Sequence, residues 1–250
     1  MVLDGRYPMR ASPTAALIAA LFVVPFQGAG AQTHAYQLFG TYADQYGGPS
    51  LVPHGGTLTS TGYAFGPNQA LTLSNVFTPS MSYTLVLHSS FVDVNGWRKM
   101  VDFANLQSDM GFYNYFGSST LYFSNVYGLN SYQPNVLATT VMTRDVTTDI
   151  VTWYVDGVKQ FQYTDGAKYS EFTGPNGVAT FFEDDVVVPG DQSEAGAGLV
   201  DYIGTYDRVL TDAEVANIVV PSPEPGSLAL AVTGLIGIAL IVRRKSLRRR

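Results

Sequence analysis

The chain has 250 residues, no cysteine and a formal net charge of −6. That figure hides a division: residues 32–220 hold six lysines and arginines against eighteen acidic residues, a net charge of −12, and the remaining basic residues sit at the two ends. An acidic body disfavours nucleic acid and anionic lipid as partners, and the lack of cysteine excludes disulfides, thiolate zinc sites, iron–sulfur clusters and a cysteine nucleophile.

The chain opens with Arg10, an apolar run over 15–26, and then Gln27-Gly28-Ala29-Gly30-Ala31. This is the order of a secretory signal peptide, with Ala29 and Ala31 placed for signal peptidase and Gln32 first after cleavage. Met9 is a second candidate start, because residues 1–8 lengthen the basic region and add Asp4. Pro25 ends the apolar run too early for it to span a bilayer.

Residues 32–220 are enough for one domain with a sizeable core. Runs rich in Val, Thr, Tyr, Phe and Leu predict strands over 57–60, 70–73, 83–94, 99–103, 111–116, 120–126, 136–144, 150–155, 158–163, 178–182 and 198–206. Short strands at this spacing, separated by Gly, Asn, Asp and Pro, predict an all-β antiparallel sandwich. The clearest unit is 150–161, where Asp156-Gly157 between two β-rich runs is a hairpin signal, since both central residues of a type I′ turn need positive φ. Alternation then puts Val151, Trp153 and Val155 on one face and Ile150, Thr152 and Tyr154 on the other. Thr211-Asp212-Ala213-Glu214 has the spacing of a capping box and predicts one short helix running to about Val219, ahead of Pro221.

Candidate chemistry lies on loops and strand ends. Glu183-Asp184-Asp185 groups hard oxygen ligands after a strand, and Asp102, Asn105 and Asp109 form a second oxygen-rich stretch. Asp184, Asp185 and Asp102 are therefore the candidate ligands for Ca²⁺, which takes six to eight oxygens. Tyr113, Tyr115, Phe116, Tyr122, Phe123, Tyr127 and Tyr132 crowd one region, with Trp97 and Trp153 elsewhere. Aromatic faces stack on sugar rings as readily as they fill cores, and Trp97, Tyr113 and Tyr115 are the candidate carbohydrate contacts. Trp153 reads as core. Catalytic patterns are missing: the three acidic residues at 183–185 are consecutive, so neighbours point apart, and His34, His54 and His88 are scattered. There is no Gly-x-Ser-x-Gly, His-Glu-x-x-His or phosphate-binding glycine loop. The chain is read as a non-enzyme.

After the domain come Pro223-Glu224-Pro225, an apolar run over 228–242, and Arg243, Arg244, Lys245, Arg248, Arg249 and Arg250. As a helix the run spans roughly 24 Å, against roughly 30 Å for the bilayer core. It predicts a transmembrane helix that crosses with local thinning, and Arg243, Arg244 and Lys245 act as the cytoplasmic stop.

The order Pro-Glu-Pro, short apolar helix and Arg-rich end resembles the PEP-CTERM sorting signal of Gram-negative bacteria, with Ser222 where a hydrophobic residue often stands. The resemblance implies that a membrane-embedded exosortase recognises Pro223-Glu224-Pro225 and removes the helix. The chain would be anchored in the inner membrane before processing and end at the cell surface or in the extracellular matrix. A second resemblance rests on RDVTTDIVTWYVDGVKQF at 144–161, FFEDD at 181–185 and GLVDYIGTYDRVLTDAEV at 198–215, and extends less tightly back to about Tyr83. These look like the concanavalin A-like, laminin G-like jelly roll, a fold that hosts lectins, glycosidases and adhesion modules alike. The expected organisation is a signal peptide at 1–31, a jelly-roll sandwich at 32–220 and a sorting signal at 221–250. The expected function is a non-catalytic exported module for carbohydrate, including exopolysaccharide. A purely structural matrix protein is the alternative, and a glycan-active hydrolase ranks third. Expected partners are exosortase, signal peptidase, the bacterial membrane and polysaccharide, with no nucleic acid.

Overall fold

The computed structural model describes residues 32–122, 124–174, 176–185 and 193–221. Ala29, Ala31, Pro223, Glu224, Pro225, Arg243, Arg244, Lys245 and the apolar run at 228–242 lie outside them. Among the described residues no helix is long and apolar enough to cross a membrane.

The sequence alternates its strands between two layers. In chain order they are β1 (His34–Gln37), β2 (Val52–His54), β3 (Thr57–Leu58), β4 (Tyr63–Phe65), β5 (Ala70–Leu73), β6 (Tyr83–Phe91), β7 (Trp97–Asp102) and β8 (Gly111–Tyr115). They continue with β9 (Ser118–Leu121), β10 (Tyr127–Asn130), β11 (Ala138–Asp145), β12 (Ile150–Val155), β13 (Val158–Thr164), β14 (Ala179–Phe181) and β15 (Gly198–Tyr206), followed by α1 (Asp212–Val215). One sheet runs β13-β12-β11-β6-β15-β4-β3, with β1 also paired to β15, and the other runs β10-β9-β8-β7-β14-β5-β2. All pairings are antiparallel.

Period-two alternation builds the layer between the sheets. Val151, Trp153 and Val155 point inward, while Tyr154 packs on the other side of the same sheet. Trp153 stacks on Phe112 of the facing sheet and lies parallel to Phe161. The Asp156-Gly157 turn has φ of 49° and 75°, which closes the β12–β13 hairpin as a type I′ turn requires. A smaller cluster of Val86, Val141, Tyr154, Tyr202, Leu210 and Val215 lies outside the eight-stranded sheet, where α1 covers it.

The helix has the capping box that its sequence specifies: the Thr211 side chain accepts from Glu214 N, and Glu214 reaches back to Thr211 N. It ends at Val215, a turn earlier than the sequence pattern predicts; Val215 is its one buried side chain, and Ile218 and Val220 pack, partly buried, against the same outer cluster from the chain beyond it. Thr211→Ala removes one side of the box. It is expected to cost about 1 kcal/mol, read as a melting temperature roughly 2–4 °C lower.

Differences from the sequence expectation are local. The strand expected over 120–126 stops at Leu121, where the Ser124 hydroxyl donates to Leu121 O and Asn125 turns the chain with φ 52°. The following strand, β10, is mostly exposed and lacks an apolar alternation to reveal it. Residues 32–80 supply five strands, of which β1, β2 and β4 have no counterpart in the sequence reading.

Candidate functional site

The outward face of the seven-stranded sheet carries the chemistry. Trp97 pairs with Tyr115 and Lys99 with Tyr113 in the β7–β8 register, so all four side chains fall on one face. Tyr113 in turn pairs with Thr120, and Thr120 with Tyr127. A bulge between Lys99 and Val101 lets Met100 and Val101 both serve the core while Lys99 stays outside it. Gly111 makes room for the lysine stem: a Cβ there would stand 3.0 Å from Lys99 Cε and 2.7 Å from Val101 O.

Around Lys99 gather three carboxylates from two separate stretches. Its ammonium lies 3.3 Å from Asp102 Oδ2, 3.5 Å from Asp185 Oδ2 and 3.6 Å from Asp184 Oδ1, and the side chain is fully buried. The three residues that the sequence offers as Ca²⁺ ligands are thus brought together, but a lysine ammonium stands among them. Asp102 has a second duty, since its Oδ1 accepts from Ala104 N and Leu106 N and shapes the turn after β7. Asn105 goes elsewhere, against Gly174, and Glu183 turns toward His54, 3.5 Å away. The alternation seen from sequence at 183–185 holds in that respect.

Beside this cluster, carboxylate oxygens of Asp109, Asp184 and Glu194 lie within 4.8 Å of one another. Asp184 organises the group by accepting from Glu194 N (3.1 Å) and Asp185 N (2.9 Å). Glu194 is fixed to the strand by Lys99 N donating to its carbonyl. Five carboxylates therefore share one ammonium, and like charges that cannot all be neutralised resist ionisation. The Asp109 carboxyl is pushed up to about 6 by its hydrogen bond to Asp185, by burial and by the Asp185 charge. Burial, aided by the charges of Asp184 and Asp109, raises Glu194 to about 7. Burial also raises Asp102 against the opposing pull of Lys99, and raises the Tyr113 phenol, with Glu194 and Asp109 adding to it.

These shifts set a pH dependence. A carboxyl raised in the folded state keeps its proton where the unfolded chain has lost it, so stability falls as pH rises from the unfolded value, about 4, through the folded ones, about 6 and 7. The depressed carboxylates, such as Glu214 held down to about 2 by Arg208, contribute fully throughout that window and lose their contribution only as pH falls below it. The melting temperature is expected to drop by a few degrees between pH 5 and pH 8, and Glu194→Gln to flatten the drop. Thermal melts across that range check it; an unchanged slope in the variant would show that Glu194 titrates normally.

An aromatic strip leads away from the acidic group. Trp97 meets Tyr115 at 4.1 Å between ring centroids, Tyr113 at 5.3 Å and Tyr122 at 5.8 Å. Tyr115 continues to Phe116 at 4.7 Å and to Tyr127 at 5.7 Å. Phe116 is 56 % exposed and sits in a left-handed conformation with φ 48°, uncommon for a bulky side chain. Tyr122 and Tyr127 are exposed as well. Tyr113 is fully buried and forms the floor of the strip. Trp97, Tyr113 and Tyr115, which the sequence offers as carbohydrate contacts, are thus contiguous with the acidic group. Asp109, from the second oxygen-rich stretch, and Tyr122 and Tyr127, from the aromatic crowd, join them, and Lys99 and Glu194 complete the site without any sequence signal that marked them.

Residues 223–245 match the family model described as the PEP-CTERM protein-sorting motif. No curated protein is similar in sequence to the chain. Among solved structures, the Trypanosoma rangeli sialidase in complex with 2,3-difluorosialic acid is similar with a TM-score of 0.56 at 13% identity, over 78% of this chain and 34% of that one. The binding domain of botulinum neurotoxin serotype D gives 0.52 at 7% identity, over 74% and 50%. Domain 4 of AbnA, an extracellular arabinanase from Geobacillus stearothermophilus, in complex with arabinotriose, gives 0.51 at 15% identity, over 74% and 97%. The chain thus spans half of the neurotoxin domain and about a third of the sialidase. At these identities the likeness is one of fold, a two-sheet β-sandwich. The sorting motif at 223–245 marks the chain for exosortase-dependent export in Gram-negative bacteria.

Proposed function

We propose that the sandwich is a non-catalytic glycan-binding module of the cell surface or extracellular matrix, of the concanavalin A-like, laminin G-like kind. It is held at the inner membrane until exosortase acts. The observation that carries this reading is the continuous strip from Tyr122 through Trp97 and Tyr115 to Tyr127 and Phe116, ending at a group of carboxylates. Exposed ring faces offer sugar C–H groups an apolar surface, and carboxylates accept from hydroxyls. Domain 4 of AbnA, with its arabinotriose, supports a sugar as the ligand class by analogy of fold. Asp109, Asp184 and Glu194 fit a Ca²⁺ at the end of the strip. Oxygens bound to one Ca²⁺ at about 2.4 Å stand no more than about 4.8 Å apart, and those of these three carboxylates lie within that limit of one another. Bound there, the cation would neutralise the surplus charge and offer open positions to sugar hydroxyls.

One observation favours a second reading. Glu194, raised to about 7 and near Asp184, resembles the acid partner of a glycosidase pair, whose carboxyls stand about 5–5.5 Å apart in retaining enzymes. Both readings meet one experiment. The full chain, purified in detergent, is titrated with the exopolysaccharide of its source bacterium, with Ca²⁺ or with chelator, while released reducing sugar is measured. Saturable binding without release, weakened at least about tenfold by Trp97→Ala with Tyr115→Ala, is expected. Release that Glu194→Gln abolishes would establish hydrolysis instead, and no binding in either condition would leave a structural matrix protein.

A further inference from the structure

The opposite face of the sandwich has a cleft that the site above does not use. Thr84, Thr143, Thr152 and Gln162 stand side by side across β6, β11, β12 and β13. Thr84 clamps the chain after β15 onto this row: its hydroxyl donates to Arg208 O (2.7 Å) and accepts from Leu210 N (3.0 Å). The clamped segment rises as a wall beside the row and leaves a cleft of about 400 Å³, lined among others by Thr143, Thr152, Ile150, Gln162, Lys159 and Asp212. That volume lies within the range of small-ligand sites.

The chemistry of the lining is mixed in a specific way. Ile150 and the threonine methyl groups give the floor an apolar component. Gln162 Nε2 donates to Thr152 Oγ1, and an accepting hydroxyl keeps its own hydrogen to give. At the rim Lys159 Nζ stands 2.8 Å from Asp212 Oδ2, with the two side chains 42% and 68% exposed, and Tyr154 donates to the other oxygen of Asp212. The Lys159 and Asp212 charges offset each other, and the remaining charge of the lining, Asp145, already accepts from the Thr147 backbone N–H and hydroxyl, so the cleft offers both a strong donor and strong acceptors. A floor of methyls and hydroxyls under a paired donor and acceptor suits a neutral polyhydroxylated ring: C–H faces below, vicinal hydroxyls at the rim.

We propose that this cleft is a second binding site, for one or two residues of a neutral sugar, on the sheet face opposite the aromatic strip. One domain then holds two glycan segments at once and bridges chains that it could otherwise only coat.

The test uses the full chain in detergent with ¹³C-labelled threonine and isoleucine methyls, titrated with arabinotriose, cellotriose and maltotriose, while emission of a Trp153→Phe variant, in which Trp97 is the single tryptophan, reports on the strip. The expected result is a saturable shift of the Thr143, Thr152 and Ile150 methyls with at least one of the three sugars. It should be unaffected by Trp97→Ala. Thr143→Val with Gln162→Ala should weaken it about tenfold, read at Thr152 and Ile150, as the loss of two neutral hydrogen bonds implies. Still methyls with all three sugars would overturn the proposal, as would shifts that vanish with Trp97→Ala. A cleft that responds while Trp97 emission stays constant would separate a failed strip from a working cleft.

Discussion

Lys99→Met is expected to lower the stability of the domain by about 3–5 kcal/mol at pH 8, the usual cost of removing one partner from a buried ionic group. Methionine keeps most of the stem that passes Gly111 and removes only the ammonium. Asp102, fully buried with Asp184 and Asp185 beside it, would then face those carboxylates with no cation. The loss should be smaller at pH 5. There Asp109 and Glu194, with folded values of about 6 and 7, are mostly protonated and repel Asp102 less. Urea unfolding at the two pH values gives both numbers. An equal loss at pH 5 and pH 8 would mean that packing of the stem, not charge, is what the lysine supplies. No loss at either would remove Lys99 from the account of the site.

Trp153→Ala is expected to cost about 3–5 kcal/mol, the range for deleting a large buried aromatic. The indole is 1% exposed and stacks across the interior on Phe112, with Phe161 parallel on its own sheet. It therefore joins the two layers directly. The chain contains two tryptophans, so the variant leaves Trp97 as the single emitter and its unfolding can still be followed by fluorescence and circular dichroism together. A cost below about 1 kcal/mol would mean that the sheets close over the gap and that Trp153 does not hold them in register.

Much of this architecture was written locally. The Asp-Gly turn, the Thr-x-x-Glu cap and the boundaries of Ala70–Leu73, Ile150–Val155 and Gly198–Tyr206 follow from turn chemistry and period-two alternation over few residues. β2 and β10 did not show themselves, because both are exposed edge strands with no buried stripe to mark them, and Pro53 sits in the former. The site was half legible for a related reason. Trp97, Tyr113 and Tyr115 face the same way because alternation puts them there, and the acidic run at 184–185 is visible by itself. What gathers those groups is sheet topology: β14 lies against β7 in space although more than seventy positions separate them. Glu194 has no local signal at all, since it stands in the connection between β14 and β15 and not on a strand whose alternation would mark it. Lys99 looked like any strand lysine until the bulge at Met100 and the small Gly111 showed where its stem goes.

The placement of β15 also has a temporal consequence. This strand, next to last among the elements along the chain, lies inside its sheet, with β6 on one side and β1 and β4 on the other. Contacts so far apart in sequence form late, so a chain threaded outward from its N-terminus cannot complete this sheet until Tyr206 has emerged. Only sixteen positions then remain before Pro223. The sheet is therefore completed and the sorting motif at 223–245 emerges at nearly the same moment.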